Sequence, residues 1–380
     1  MAGRKKISKR QRRKRKLILF IVEIAILVLL AIVLFIYNKF NLIQNDTLDK
    51  SKVKKNEVTE ETQATFEGYT TIALFGLDNR TSGVYTTGNS DVIMVMNINN
   101  DTKEVSMVSV YRDTYLNVAA ADEDATFRKA NAAYARGGPE QAITMLNRNL
   151  DLDIDNYVAF DFMAVADAID ILGGVDIEIE SEAELGYLND YISDTSNTLG
   201  RKTARISGTG MQTLDGVQAV AYARIRYTAG GDYKRAERQR RVLSEMIKKA
   251  KKASASQLLE LIDAVFPKIQ TDLTQKDMVS MATAMIGYDM ANSGGFPYDR
   301  TTDTPSKSVG SVVIPCDLES NVKQLHKQLF GTEDYEPSAT VMEYNDFLIN
   351  QGYTKEDAEA DQFSDQDDFI GNGQTGEEAQ

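Results

Sequence analysis

Residues 90–114 read SDVIMVMNINNDTKEVSMVSVYRDT, and this stretch decides the fold. Two apolar runs, 92–98 and 105–110, flank the turn residues Asn99, Asn100 and Asp101, the pattern of a β-hairpin. Upstream, residues 71–75 (TIALF) form another short apolar run, which stops at Gly76. Downstream the period changes. Gly138-Pro139 opens a helix reaching about Asn149, with proline at its first position. Asp161 caps a second helix, in which Phe162, Val165, Ala166, Ile169 and Leu172 recur at spacings of three and four until Gly173-Gly174 stops it. Residues 175–179 (VDIEI) follow as a strand. Strands alternating with helices predict an α/β domain whose central β-sheet is flanked by helices, an α-β-α sandwich. The hairpin makes that sheet mixed rather than purely parallel.

The chain around this core has 380 residues, 43 Lys and Arg against 56 Asp and Glu, one cysteine (Cys316) and one histidine (His326). One His and one Cys supply neither a Cys/His metal cluster nor an intramolecular disulfide. A Ser-His-Asp or Cys-His centre would depend on His326 alone, which sits in a Lys- and Gln-rich stretch that reads as a helix. The chemistry therefore rests on carboxylates, Arg, Lys and hydroxyls. There is no Gly-rich nucleotide loop of either common kind.

Charge is distributed unevenly. Residues 1–16 hold ten basic residues and no acid, while residues 17–380 carry a net charge of −23. Residues 17–37 (LILFIVEIAILVLLAIVLFIY) are interrupted by one charge, Glu23. Twenty-one helical residues reach about 31 Å, the thickness of a hydrocarbon core, so this run predicts one N-terminal transmembrane helix. It is longer than a signal-peptide core, and no small-x-small cleavage pattern follows it. The basic stub then stays cytoplasmic and the rest lies outside the cell membrane; set against a membrane span, its charge reads as a topology signal, and no nucleic-acid partner is expected. Residues 38–68 read as an extracytoplasmic stalk, 69–331 as the globular domain, and 332–380 as an acidic, largely disordered tail. An external domain with no disulfide suits a Gram-positive bacterium.

Two polar constellations stand out. If the hairpin pairs as read, Asp91 and Arg112 are neighbours at one sheet edge, and Asp78 and Arg80 join them if the strand at 71–75 runs parallel to the second hairpin arm. Two carboxylates suit Mg²⁺ or Mn²⁺, and Arg suits a bidentate anion. Turn or cap roles for the aspartates and a surface role for Arg80 remain open at this point. The second constellation, residues 224–241 (RIRYTAGGDYKRAERQRR), has a net charge of +5 within the acidic body. Arg224 and Arg226 lie on one side of an extended segment. Asp232 is placed to cap a following helix that carries Arg235, Arg238 and Gln239 on one face. Positive charge at a helix start opposes its dipole, and a bound anion would offset that cost. Arg in place of Lys favours phosphate recognition over a solvated basic helix. Phe162, Met163, Val165 and Ile169 either line a lipid tunnel or pack as core.

These pieces, in order, resemble the LytR-CpsA-Psr family. The matching residues are GLDNR (76–80), SDVIMVM (90–96), SVYRDT (109–114), RKANAAYARGG (128–138), FDFMAVADAIDILGGVDIEI (160–179), LDGVQAVAYARIR (214–226) and DYKRAERQRR (232–241). The resemblance implies a membrane-anchored phosphotransferase that moves a glycopolymer, of the wall teichoic acid or capsular polysaccharide type, from an undecaprenyl pyrophosphate carrier to peptidoglycan. Within it, Asp78 and Asp91 match the Mg²⁺-associated aspartates. Arg80, Arg112, Arg224, Arg226, Arg235 and Gln239 match pyrophosphate-contacting positions, with Lys129 and Arg238 grouped beside them, and Asp78, Asp91, Arg112, Arg224 and Arg226 are the expected catalytic set. The rival activities are hydrolysis of the lipid pyrophosphate and, since some members are labelled so, transcriptional attenuation from the membrane.

Overall fold

The computed structural model describes residues 44–45, 48–77, 85, 88–228, 230–284 and 287–358. The predicted anchor at 17–37 lies outside them, and among the described residues no helix is long and apolar enough to cross a membrane. In chain order come β1 (Gln44–Asn45), α1 (Glu60–Glu67), β2 (Tyr69–Leu77), β3 (Ser90–Asn99), β4 (Glu104–Val110), β5 (Tyr115–Asn117) and β6 (Phe127–Lys129). Next are α2 (Ala132–Leu150), β7 (Asn156–Asp161), α3 (Phe162–Ile171), β8 (Val175–Ile179), α4 (Glu182–Leu199), β9 (Gly210–Leu214) and α5 (Gly216–Arg224). The chain continues through α6 (Gly231–Ala250), α7 (Ala255–Val265), β10 (Ile269–Thr271), α8 (Gln275–Ala284), β11 (Asp289–Phe296), β12 (Arg300–Asp303), β13 (Val312–Pro315), α9 (Leu318–Phe330) and α10 (Ala339–Asn350).

Seven strands form one mixed sheet in the order β1-β10-β7-β2-β3-β4-β11. The hairpin forms as read, with Ile98 opposite Val105 and Met94 opposite Ser109. Its turn is held by the Asn99 side chain, whose Oδ1 accepts the Asp101 and Thr102 amides at 2.9 and 3.0 Å. Because β2 is antiparallel to β3, it is parallel to β4, and it is also parallel to β7. The ends of β2, β4 and β7 and the start of β3 therefore share one sheet edge. Side chains alternate along each strand, so the sheet has two apolar faces. Phe75, Ile93 and Val95 pack under α2, α9 and α10, while Ile72, Leu74 and Met94 face Leu243 of α6 and Met278 of α8.

Local signals held closely in α3, where the Asp161 carboxylate accepts the Ala164 amide at 2.8 Å and the chain leaves through Gly173 and Gly174, both at positive φ. The helix expected from Pro139 begins earlier, at Ala132, and kinks at Gly137-Gly138 before Pro139 restarts it. The strand at 175–179 forms, but it pairs with β9 in a separate two-stranded sheet outside the central one.

Both expected flanks of the domain are corrected. Residues 48–67 are no free stalk: Leu48 and Phe66 are buried in the main core, and the Lys54 amide donates to Thr144 Oγ1 at 3.1 Å. The tail is likewise ordered to residue 358, with Val341, Tyr344 and Leu348 of α10 in the same core. Low apolar content hid these contacts, since each segment docks through only a few well-spaced large side chains.

Candidate active site

The shared sheet edge places Asp91 at the start of β3 beside Arg112 just after β4, and Arg112 Nη1 donates to Asp91 Oδ1 at 2.8 Å. Asp78 and Arg80 follow β2 and lie outside the described residues. Across from this pair stands the basic segment. Asp232 does not cap α6, whose N-cap is Gly230 at φ 89°. Its carboxylate instead takes Arg226 through Nε at 2.9 Å and Nη2 at 3.4 Å, with Arg235 Nη1 and Arg112 Nε each at 3.4 Å. One aspartate thus gathers three arginines from separate parts of the chain. Lys129 reaches this network through Asp113, at 3.2 Å.

These groups line a cleft of about 410 Å³, into which Asp91, Arg224, Arg226, Arg235 and Gln239 all face. Arg224, at the end of α5, reaches Asp194 Oδ2 at 3.0 Å and Thr195 Oγ1 at 2.9 Å, with its guanidinium 5.6 Å from the centroid of the Phe162 ring. Arg238 is placed elsewhere. Its Nε donates to Glu184 Oε1 at 2.9 Å, both side chains are buried, and it stacks over Tyr222. A helix turns 100° per residue, so Arg235 and Gln239, four apart, share the cleft face while Arg238 points toward α4.

Compensation of charge is unequal across the cleft. Burial pulls the Arg112 guanidinium down, but Asp91, Asp113 and Asp232 outweigh it and hold its pKa above the usual value. Burial also pulls Arg235 down, Arg112 adds like-charge repulsion, and Asp232 does not restore it. Arg235 is only 6% exposed, and among the described residues its Nε has no hydrogen-bond partner. A buried cation short of counter-charge is costly unless an anion joins it.

A second cavity, of about 200 Å³ and almost wholly apolar, shares Phe162 and Gln239 with the cleft and continues along Val92, Val158, Val165 and Val242. Of the expected tunnel residues, Phe162 and Val165 line it. Met163 packs instead against Leu199 and Val217, and Ile169 is core between α3 and the β8–β9 sheet. Three residues the reading missed, Asp190, Tyr191 and Asp194, line the cleft from α4. Their legible signal was the placing of Asp190 and Asp194 one helical turn apart.

The family model described as the LytR_cpsA_psr family matches residues 30–295. The chain belongs to that family. It is 29% identical over 239 residues to the polyisoprenyl-teichoic acid–peptidoglycan teichoic acid transferase TagU of Enterococcus faecalis, covering 62% of this chain and 70% of TagU. It is 28% identical over 236 residues to TagU of Bacillus subtilis, with 62% and 68% covered. A solved structure, TagT bound to LIIa-WTA, superimposes with a TM-score of 0.58 at 22% identity over 76% of this chain and 100% of that one, which shows a common fold. The mixed sheet with helices on both faces is thus that of the family's solved members.

Proposed function

We propose that this family member is a glycopolymer–peptidoglycan transferase acting on a polymer carried by a polyprenyl pyrophosphate, undecaprenyl by the resemblance above. The carrying observation is at Phe162 and Gln239, which line both an arginine-rich cleft and the apolar cavity beside it. A lipid-linked pyrophosphate needs that pairing: charge-assisted donors for the phosphates and an apolar wall for the chain. The named activity of the TagU relatives, teichoic acid transfer to peptidoglycan, supports the same reading.

In the reaction a sugar hydroxyl of peptidoglycan attacks the polymer-linked phosphorus. The new P–O bond forms as the bridging P–O bond breaks, and polyprenyl phosphate leaves. Arg224, Arg226 and Arg235 hold the phosphoryl oxygens and stabilise charge that grows on them, the main lever in phosphoryl transfer. The hydroxyl proton passes to a cleft carboxylate, with Asp91, Asp190 and Asp194 facing the space. Asp91, with Asp78, would hold Mg²⁺ or Mn²⁺. Its oxygen donors fit a hard cation that keeps waters and phosphate ligands, although among the described residues no group of three His, Cys, Asp or Glu is assembled to hold a metal alone. When bound, the ion supplies neutralisation of pyrophosphate charge.

The anchor at 17–37, a cytoplasmic N-terminus and an external catalytic domain complete the proposal. The test uses the purified full chain with lipid-linked polymer and peptidoglycan, with the product read by mass spectrometry. Polymer joined covalently to peptidoglycan is expected, with about a hundredfold or greater loss in Arg224→Ala. Release of free polymer phosphate without attachment would identify a hydrolase and overturn the transfer reading.

A further inference from the structure

Helix α7, ASQLLELIDAV, is apolar yet contains no buried residue. Leu258, Leu261, Ile262 and Val265 follow the i, i+3, i+4, i+7 stripe of an amphipathic helix, with Leu259 beside it. Leu258 and Leu259 remain 36% and 41% exposed. The helix is nevertheless well formed at its start, where Ser254 and Gln257 make a reciprocal capping box and Gln257 Nε2 donates to Ile171 O at 3.1 Å. One end of the stripe meets the site, since Val265 lines the apolar cavity together with Ile269.

Two further observations say what covers the rest. Ile269 begins β10, which pairs in parallel with β1, Gln44 opposite Gln270. Only residues 38–43 separate β1 from the end of the apolar run at 17–37, and six residues span at most about 22 Å. Because residues 48–67 are packed on the domain, no long stalk holds this edge away from the bilayer.

We propose that α7 docks on the outer surface of the membrane, its leucines among the lipid acyl chains, and sets the mouth of the apolar cavity at the bilayer, where the polyprenyl chain enters. The proposal rests on the anchor reading above. Leu258, Ile262 and Leu259 fall within about 100° of one another around the helix, with the exposed acids Glu260 and Asp263 outside that arc and Gln257 turned to α3, an arrangement that suits an interfacial position, lying in the plane of the headgroups.

The test places single cysteines at Leu258→Cys, Leu259→Cys and, as a control on the opposite side of the sheet, Asp346→Cys in α10. The native Cys316 is fully buried with its thiol pushed up to about 12, so an environment-sensitive dye labels the new sites selectively. The full chain is reconstituted into phosphatidylcholine–phosphatidylglycerol vesicles containing doxyl-labelled lipid. Loss of most of the fluorescence at 258 and 259, with none at 346, is expected. A chain that sediments with the vesicles but is unquenched at 258 and 259 overturns the docking alone. A blue-shifted but unquenched dye, the sign of cover by the anchor segment or a second copy, overturns it equally. A chain that does not sediment with the vesicles refutes the anchor reading and the docking with it. In the Leu258→Ser, Leu259→Ser double variant, transfer from a bilayer-embedded carrier should fall several-fold while transfer from a short-chain carrier in detergent is kept; equal loss on both also overturns the proposal.

Discussion

At Arg235 a guanidinium is buried with, among the described residues, one loose carboxylate contact at 3.4 Å, while three residues along the same helix Arg238 is fully paired with Glu184. The two arginines should fail differently. Arg235→Ala should raise the transfer barrier by about 2–4 kcal/mol, on the order of a 30- to 1,000-fold rate loss, with little change in the urea midpoint. Arg238→Met strands the buried Glu184 carboxylate and should cost about 3–5 kcal/mol in urea unfolding, with turnover per folded molecule retained. His326 is a different kind of buried group. It stacks on Tyr335 at 3.5 Å, its Nε2 bonds Leu150 O at 2.9 Å, and burial lowers its pKa from 6.5 to about 4. Between those values the unfolded chain takes up a proton that the folded chain refuses. The contribution is therefore intact above about pH 6.5 and is lost as pH falls toward 4, on the order of 3 kcal/mol in all. His326→Phe should flatten that part of the pH–stability curve measured by urea titration.

Among the elements, α3 and α5 both supply lining residues to the cleft and to the apolar cavity, and Gly216 sets how closely they approach. A Cβ there would lie 2.1 Å from the Ala166 carbonyl oxygen, backbone against backbone. Gly216→Ala must push the two helices apart at a cost of about 1–3 kcal/mol. Since Val165 and Val220 from these helices line the apolar cavity, the substitution should lower the melting temperature and raise KM for the lipid-linked donor more than it lowers kcat. The elements were the most legible level of the fold. The hairpin turn, the Asp161 cap and the glycine stop are local, and each is decided by residues adjacent in the chain. Asp232 was misread for the opposite reason: a carboxylate near a helix start is a cap by local rules, and only the distant approach of Arg112 and Arg226 offers it a better partner.

At the scale of the whole molecule, the domain closes through segments that looked peripheral. Asp151 is buried and accepts from Tyr335 Oη at 3.0 Å and from the Ser338 amide at 2.7 Å, with Asn56 also donating to it. This carboxylate ties the segment before α1 and the segment before α10 to the end of α2. Truncation after Gly331 removes Tyr335, Val341, Tyr344 and Leu348 from the core. At about 1.5–3 kcal/mol each, their loss rivals the entire stability of a typical domain, so this chain should not fold.

The sequence by itself determined the class of fold, the family, the hairpin edge carrying Asp91 and Arg112, and a set of candidate site residues without His or Cys, because these depend on period, composition and residues close in the chain. Tertiary structure alone decided that Asp232 gathers three arginines, that Arg235 enters the cleft while Arg238 leaves it, and that Phe162 lines both the polar cleft and the apolar cavity. Those outcomes turn on which groups share a volume once helices pack. Charge pairing and burial are settled by neighbours in space, and a linear pattern does not specify them.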